Sequence, residues 1–181
     1  MTTKATGWLE RTAEEKPPRL SGVMRAVRNW AVLEEHDTVL DLFCRDGALL
    51  SALSKSMRLC VCGICDDPEM PHRIRTQLAD SDIVYAEPDD IPWRDNAFDA
   101  VLGSELVRKE KLRPMLAETM RVLRPGGQAV MATKMLPFGY DEYPNKGEIM
   151  REMQSVGFEN ISWRISGLWG VAIGWKKNDP V

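Results

Sequence analysis

The sequence predicts a doubly wound α/β fold, a mostly parallel sheet covered by helices on both faces, and three observations carry that prediction. Short apolar runs alternate with helix-period segments from residue 39 to residue 133, the pattern of parallel strands joined by crossover helices. The stretch Thr38-Val39-Leu40-Asp41-Leu42-Phe43-Cys44-Arg45-Asp46-Gly47 reads as a buried strand ending in an acidic residue, then a tight turn into a helix. Such folds hold nucleotide-like ligands at that junction. Near the carboxyl end, the runs 158–165 and 169–175 flank Ser166-Gly167, a hairpin signal that makes the last two strands antiparallel.

Each element follows from local chemistry. Residues 1–34 read as one or two amphipathic helices around Lys16-Pro17-Pro18, a break that proline imposes on what precedes it. The first strand spans 39–43 and its helix 48–56. The second strand spans 59–64, followed by a helix over 69–78 opened by Asp67-Pro68. Strands three and four fall at 83–86 and 98–103. The helix over 113–123 stops at Pro125-Gly126-Gly127, residues that helix ends favour, and strand five occupies 129–133. Residues 134–146, rich in Pro, Gly and Tyr, form a long loop, and a helix over 148–156 ends at Gly157 before the hairpin. Five strands plus the hairpin make seven.

Composition narrows the function classes. With 181 residues, 44% of them apolar, the chain can bury one core, so one domain with short arms is expected. The net charge of −3 gives no basic footprint for nucleic acid. The densest basic patch, Arg108, Lys109, Lys111 and Arg113, is interrupted by Glu110 and reads as a solvated helix face. No apolar run suits a signal peptide or a membrane span, and a cytoplasmic location is expected. Four cysteines do not make a disulfide scaffold in a chain of this length.

Three further stretches resemble a known family. The run from Glu87-Pro88-Asp89-Asp90 through Trp93 to Phe98-Asp99-Ala100-Val101-Leu102 looks like the link between the adenine-contacting loop and strand four of class I S-adenosylmethionine-dependent methyltransferases. Val122-Leu123-Arg124-Pro125-Gly126-Gly127 resembles that family's turn before strand five, and Val156-Gly157-Phe158 with the terminal hairpin resembles its closing element. The resemblance covers roughly residues 35–177, most closely the small-molecule enzymes called type 11, leaving 1–34 as an amino-terminal arm and 178–181 as a tail. With the strand and turn pattern, it implies a Rossmann-like seven-stranded sheet in the order 3-2-1-4-5-7-6, strand seven antiparallel.

The resemblance also implies a cofactor, S-adenosylmethionine, and a site for it, but the site residues depart from the family pattern. The family's first loop carries three glycines, whose missing side chains let backbone amides approach the cofactor's methionine end. Here Asp41 and Gly47 fit, whereas Phe43 and Arg45 replace the first two glycines. Phe43 is expected to project a ring where the methionyl group should lie; Arg45 either adds a cation near the sulfonium or pairs with the cofactor carboxylate. Gly63-Ile64-Cys65-Asp66-Asp67-Pro68-Glu69-Met70 places Cys65 where the family has the acid that accepts the ribose hydroxyls. Asp66 comes one residue late, and the alternation of side chains along a strand turns it away. Losing a charged acceptor costs about 10- to 100-fold in affinity. Glu87, with Pro88, stands where the family's adenine-contacting Asp sits; an exposed loop acid is the bland alternative.

The remaining candidates carry less. His36 and His72 read as surface residues, so no catalytic base is named, and methyl transfer can proceed largely by holding nucleophile and donor in line. Ser104, at the cofactor, and Glu105, at the substrate, follow strand four where this fold makes such contacts; both could instead cap the next helix. Cys44 and Cys65, ending adjacent strands, are expected to face each other across the cleft and rim it, while Cys60 and Cys62 share a face below the tip. Buried packing is the ordinary role for all four, and no metal is expected. Phe138, Tyr140 and Tyr143 in the long loop, with Trp30 in the arm, are candidates for a lid over a small, partly apolar substrate, although aromatic residues in arms equally often only pack. Two functions follow: methyl transfer to a small molecule, with weakened cofactor binding, or a degenerate relative that has lost the cofactor and binds or regulates. A cysteine-based metal or redox protein is a third.

Overall fold

The computed structural model describes residues 20–105, 107–135 and 142–178. One seven-stranded sheet organises them, in the order β3-β2-β1-β4-β5-β7-β6. The chain runs α1 (Gly22–Trp30), β1 (Thr38–Asp41), α2 (Ala48–Ser56), β2 (Cys60–Cys65), α3 (Met70–Arg75), β3 (Asp82–Tyr85), β4 (Phe98–Gly103), α4 (Lys109–Val122), β5 (Leu123–Lys134), α5 (Lys146–Ser155), β6 (Phe158–Ser166) and β7 (Trp169–Lys176). The first five strands pair in parallel, and β7 inserts antiparallel between β5 and β6. Strand order and the antiparallel seventh strand are therefore those expected.

Side-chain alternation along the central strands divides the core in two. Leu40, Val101, Ala129 and Met131 face α4 and α5, meeting Leu116, Ile149 and Met153. Val39, Ala100, Leu102 and Val130 face the other way, onto Met24 and Val27 of α1 and Leu49 and Leu53 of α2. A third cluster under α2 and α3 gathers Cys44, Leu50, Val61, Cys65, Ile74 and Ile83. Burying both sheet faces in this way is what makes the strands read as near-continuous apolar runs.

Local signals fix the helix ends. Ser21 caps α1 by accepting from the Met24 amide at 3.3 Å. Asn145 and Glu148 form a reciprocal capping box at the start of α5, so that helix begins before the expected residue 148. The fourth helix starts at Lys109, before the expected residue 113, with Pro114 inside it. Strand β5 begins at Leu123, which pairs with Phe98 before the register shifts. The Pro125-Gly126-Gly127 turn is thus an irregularity within a strand. Residues 1–19, which include the Lys16-Pro17-Pro18 break, lie outside the described residues.

Candidate functional site

At the carboxyl ends of the parallel strands, the loops after β1, β2, β3 and β4 enclose two connected chambers. The smaller, about 370 Å³, is lined by Leu42, Phe43, Ile64 and Val107 together with Asp66, Glu87 and Pro88. The larger, about 890 Å³, lies beneath α1 and includes Met24, Ser104, Lys134, Tyr143 and Trp169. Arg45, Asp66 and Glu105 line both, so the two open onto each other around these three charged side chains.

The β1–α2 loop makes its turn with little glycine. Asp41 Oδ1 accepts from the Phe43 amide at 3.1 Å, and Gly47, in the left-handed region at φ 74, donates to the Cys44 carbonyl at 2.6 Å. A Cβ on Gly47 would lie 2.8 Å from Ile74 Cγ2, so this glycine meets both a backbone and a packing requirement. Arg45 is left-handed too, at φ 44, a conformation rare outside glycine. Its guanidinium forms a fork with Glu105 across the cleft, Nη2 to Oε1 at 2.9 Å and Nε to Oε2 at 3.2 Å. Hydrogen bonding to Glu105 raises the Arg45 pKa above its ordinary value.

Beneath this loop lies Asp41. The residue is fully buried, and its Oδ2 has no hydrogen-bond partner among the described residues. Burial pushes its pKa up to about 7. Beside it, the Cys44 and Cys65 sulfurs sit 2.6 Å apart. The hydrogen bond to Cys65, with burial, raises the Cys44 thiol well above its ordinary range, and the same bond lowers Cys65.

The cysteine placement corrects an expectation. Cys44 and Cys65 do face each other, but in the core under α2 and α3, and they rim neither chamber. On β2, Cys65 shares its face with Val61, turned toward those helices, while the chain leaves the ladder at residue 66. Asp66, expected to turn away, consequently lines both chambers. Phe43 packs against the α4/α5 core and walls the smaller chamber but not the larger.

Glu87 lines the smaller chamber but pairs with Lys111 at 3.0 Å. Ser104 and Tyr143 line the larger, whereas Phe138 and Tyr140 lie outside the described residues. Trp30 packs against the α1 side of the core, under the Arg164 guanidinium. His36 and His72 are exposed and line neither chamber. Each cation of the 108–113 patch is ion-paired: Arg108 to Glu142, Lys109 to Glu148, Lys111 to Glu87 and Asp89, Arg113 to Glu152. No group of three or more His, Cys, Asp or Glu able to hold a metal occurs among the described residues, and none of their helices is long and apolar enough to cross a membrane.

The elements that build this cleft are the ones that match known proteins. Residues 39–127, from β1 into the turn within β5, match the family described as Methyltransferase domain. Fold and family match together support a class I S-adenosylmethionine-dependent methyltransferase domain. A demethylmenaquinone methyltransferase of Chlorobaculum tepidum is 26% identical over 137 residues, covering 75% of this chain and 53% of that protein. The chain spans about half the length of the first two such relatives. Among solved structures, the [4+2]-cyclase SpnF matches with a TM-score of 0.76 at 15% identity, over 91% of this chain and 86% of that one. A TehB-like S-adenosylmethionine-dependent methyltransferase from Corynebacterium glutamicum matches with a TM-score of 0.66 at 20% identity, over 88% and 89%. Both likenesses are of fold.

In this methyltransferase chain several lining residues escaped sequence reasoning. Met24, Lys134 and Trp169 come from α1 and from the β5 and β7 ends, and only the β5–β7 pairing, Lys134 opposite Trp169, brings the last two together. At the smaller chamber, Arg108 and Lys111 were legible only as part of a helix-like basic patch, and Val107 carried no signal. An earlier signal existed for Asp66: it is the first residue beyond the apolar run of β2.

Proposed function

We propose that the chain transfers a methyl group from S-adenosylmethionine to a small-molecule acceptor. The observation that carries this reading is the smaller chamber, where apolar walls from Leu42, Phe43, Ile64 and Val107 meet the Asp66 carboxylate at the end of β2 and Glu87 beyond β3. That donor set suits an adenosine: walls for the base, a carboxylate for the ribose hydroxyls, and a second acid for the exocyclic amine. Asp66 takes the ribose role that the family pattern gives to the residue at position 65. Glu87 serves the base only by leaving Lys111. When bound, S-adenosylmethionine supplies an electrophilic methyl group on a sulfonium.

The chain's own work is then positioning. The acceptor occupies the larger chamber against Ser104, Tyr143 and Trp169, and alignment of the reacting atoms supplies the rate without a histidine. Met24, Met70 and Trp169 in that lining favour a partly apolar acceptor, in keeping with the curated relatives, which are named for demethylmenaquinone. A second reading, a relative that has lost the cofactor, is favoured by one specific observation: the Arg45–Glu105 pair stands where the family has open, glycine-lined loop. A fold alone does not fix the reaction, as the cyclase with this architecture illustrates.

Calorimetric titration with S-adenosylmethionine separates the two readings. The expected result is saturable binding, because Asp66 supplies the charged acceptor that residue 65 lacks. Formation of S-adenosylhomocysteine with a hydroquinone acceptor would follow. Folded protein that shows no binding would establish the second reading.

A further inference from the structure

The β1–α2 loop keeps the left-handed turn that glycine normally makes, yet it does so with an arginine. A non-glycine residue held at φ 44 is strained, and such strain persists where the surroundings over-determine it, commonly at ligand sites. The result is that the Arg45 guanidinium reaches over the cleft to Glu105, just beyond β4. The pair stands where the two chambers meet, between the proposed nucleoside chamber and the proposed acceptor chamber. Its two contacts, at 2.9 and 3.2 Å, satisfy the planar fork of arginine.

The pair is also wet. The Arg45 side chain is 62% exposed and that of Glu105 39%, and exposed ion pairs of this kind contribute little net stability. Opening it is therefore inexpensive, provided both charges find new partners. A carboxylate alone would satisfy Arg45 and strand Glu105, and an ammonium alone would do the reverse. A ligand bearing both satisfies both. Arg45 is cationic in any case, and Glu105 first, with Asp66 and Asp46 in smaller part, raises its pKa further.

We propose that Arg45 and Glu105 are a zwitterion clamp: they part and take, respectively, the α-carboxylate and the α-ammonium of the amino-acid end of a nucleoside ligand. The inference rests on the reading of the cleft as an S-adenosylmethionine site. It gives this chain side-chain recognition of the methionine end in place of the backbone amides that a glycine loop would offer.

The test compares two probes by calorimetry: S-adenosylhomocysteine, which carries the amino-acid end, and 5′-methylthioadenosine, which lacks it. Wild-type protein should prefer S-adenosylhomocysteine by about tenfold or more, the scale of a charge-assisted contact. In Arg45→Gln and in Glu105→Gln that preference should shrink to roughly threefold or less, with the affinity for 5′-methylthioadenosine unchanged. The double exchange Arg45→Glu with Glu105→Arg rebuilds the pair with reversed polarity. It should keep thermal stability close to that of wild type while lacking the preference, which a merely structural latch would not predict. An undiminished preference in both single variants would overturn the clamp while leaving the cofactor reading intact. Failure of wild type to bind either nucleoside would overturn both.

Discussion

Asp41 is the residue whose environment has the clearest thermodynamic consequence. Its carboxyl is buried with one oxygen unpartnered among the described residues, and burial raises its pKa from 3.8 to about 7. In the folded state it therefore keeps a proton that the unfolded chain has already released. Where the folded state binds more protons, stability falls as pH rises. The contribution of Asp41 is thus least unfavourable below about pH 4, declines through the window from about 4 to 7, and levels off above it. The full span is on the order of 4 kcal/mol at 1.36 kcal/mol per pKa unit. Urea unfolding at pH 4 and pH 8 should show wild type losing more stability over that interval than Asp41→Asn, which does not titrate; equal losses would contradict the assignment. The sequence marked Asp41 as the acid ending the first strand, but not its burial, because burial depends on tertiary packing.

At the scale of elements, the cleft depends on how closely β1 and β2 approach at their ends. Gly63 faces the α2/α3 side, and a Cβ there would meet Cys44 Cβ at 2.8 Å and Ile83 Cδ1 at 3.1 Å. Cys44 Cβ is tied to the backbone, and Ile83 is fully buried with no room to swing aside. Gly63→Ala should therefore push the β1–α2 loop outward and destabilise the fold by about 1–3 kcal/mol, measurable as a lowered urea midpoint. An unchanged midpoint would mean that the loop yields without cost. Strand-level reasoning explains both the success and the failure of the sequence here. The apolar run correctly marked β2, and the family pattern then placed the ribose acid at residue 65. That assignment assumed the alternation of β2 to persist past its end. The ladder stops at Cys65, opposite Tyr85, and Asp66 is free to enter the cleft. Similarly, Pro125-Gly126-Gly127 reads locally as a turn, while only pairing with β4 shows that the strand begins at Leu123.

Across the whole molecule, the apolar runs and turn signals marked the seven strands, while their order came with the family resemblance, because β3 to β4 and β5 to β6 join strands that are not neighbours in the sheet. The larger chamber was far less legible. It is assembled from α1, the β1–α2 loop, Lys134 and Trp169, segments that meet only when β7 inserts beside β5 and α1 packs across both. Gln128 of β5 helps seat that helix by holding both polar backbone groups of Val32, whose amide donates to its Oε1 at 3.2 Å and whose carbonyl accepts from its Nε2. No local pattern announces such an arrangement.

The central claim is that the cleft is a nucleoside site with Asp66 as its ribose acceptor, and one comparison tests it most directly: the affinity of wild type and Asp66→Ala for S-adenosylhomocysteine, measured by calorimetry on protein shown to be folded. Asp66 lies beyond the strand and lines both chambers, so its removal should leave the fold intact. The account predicts a loss of about 10- to 100-fold, the value of a charged acceptor. Unchanged affinity in Asp66→Ala would contradict it.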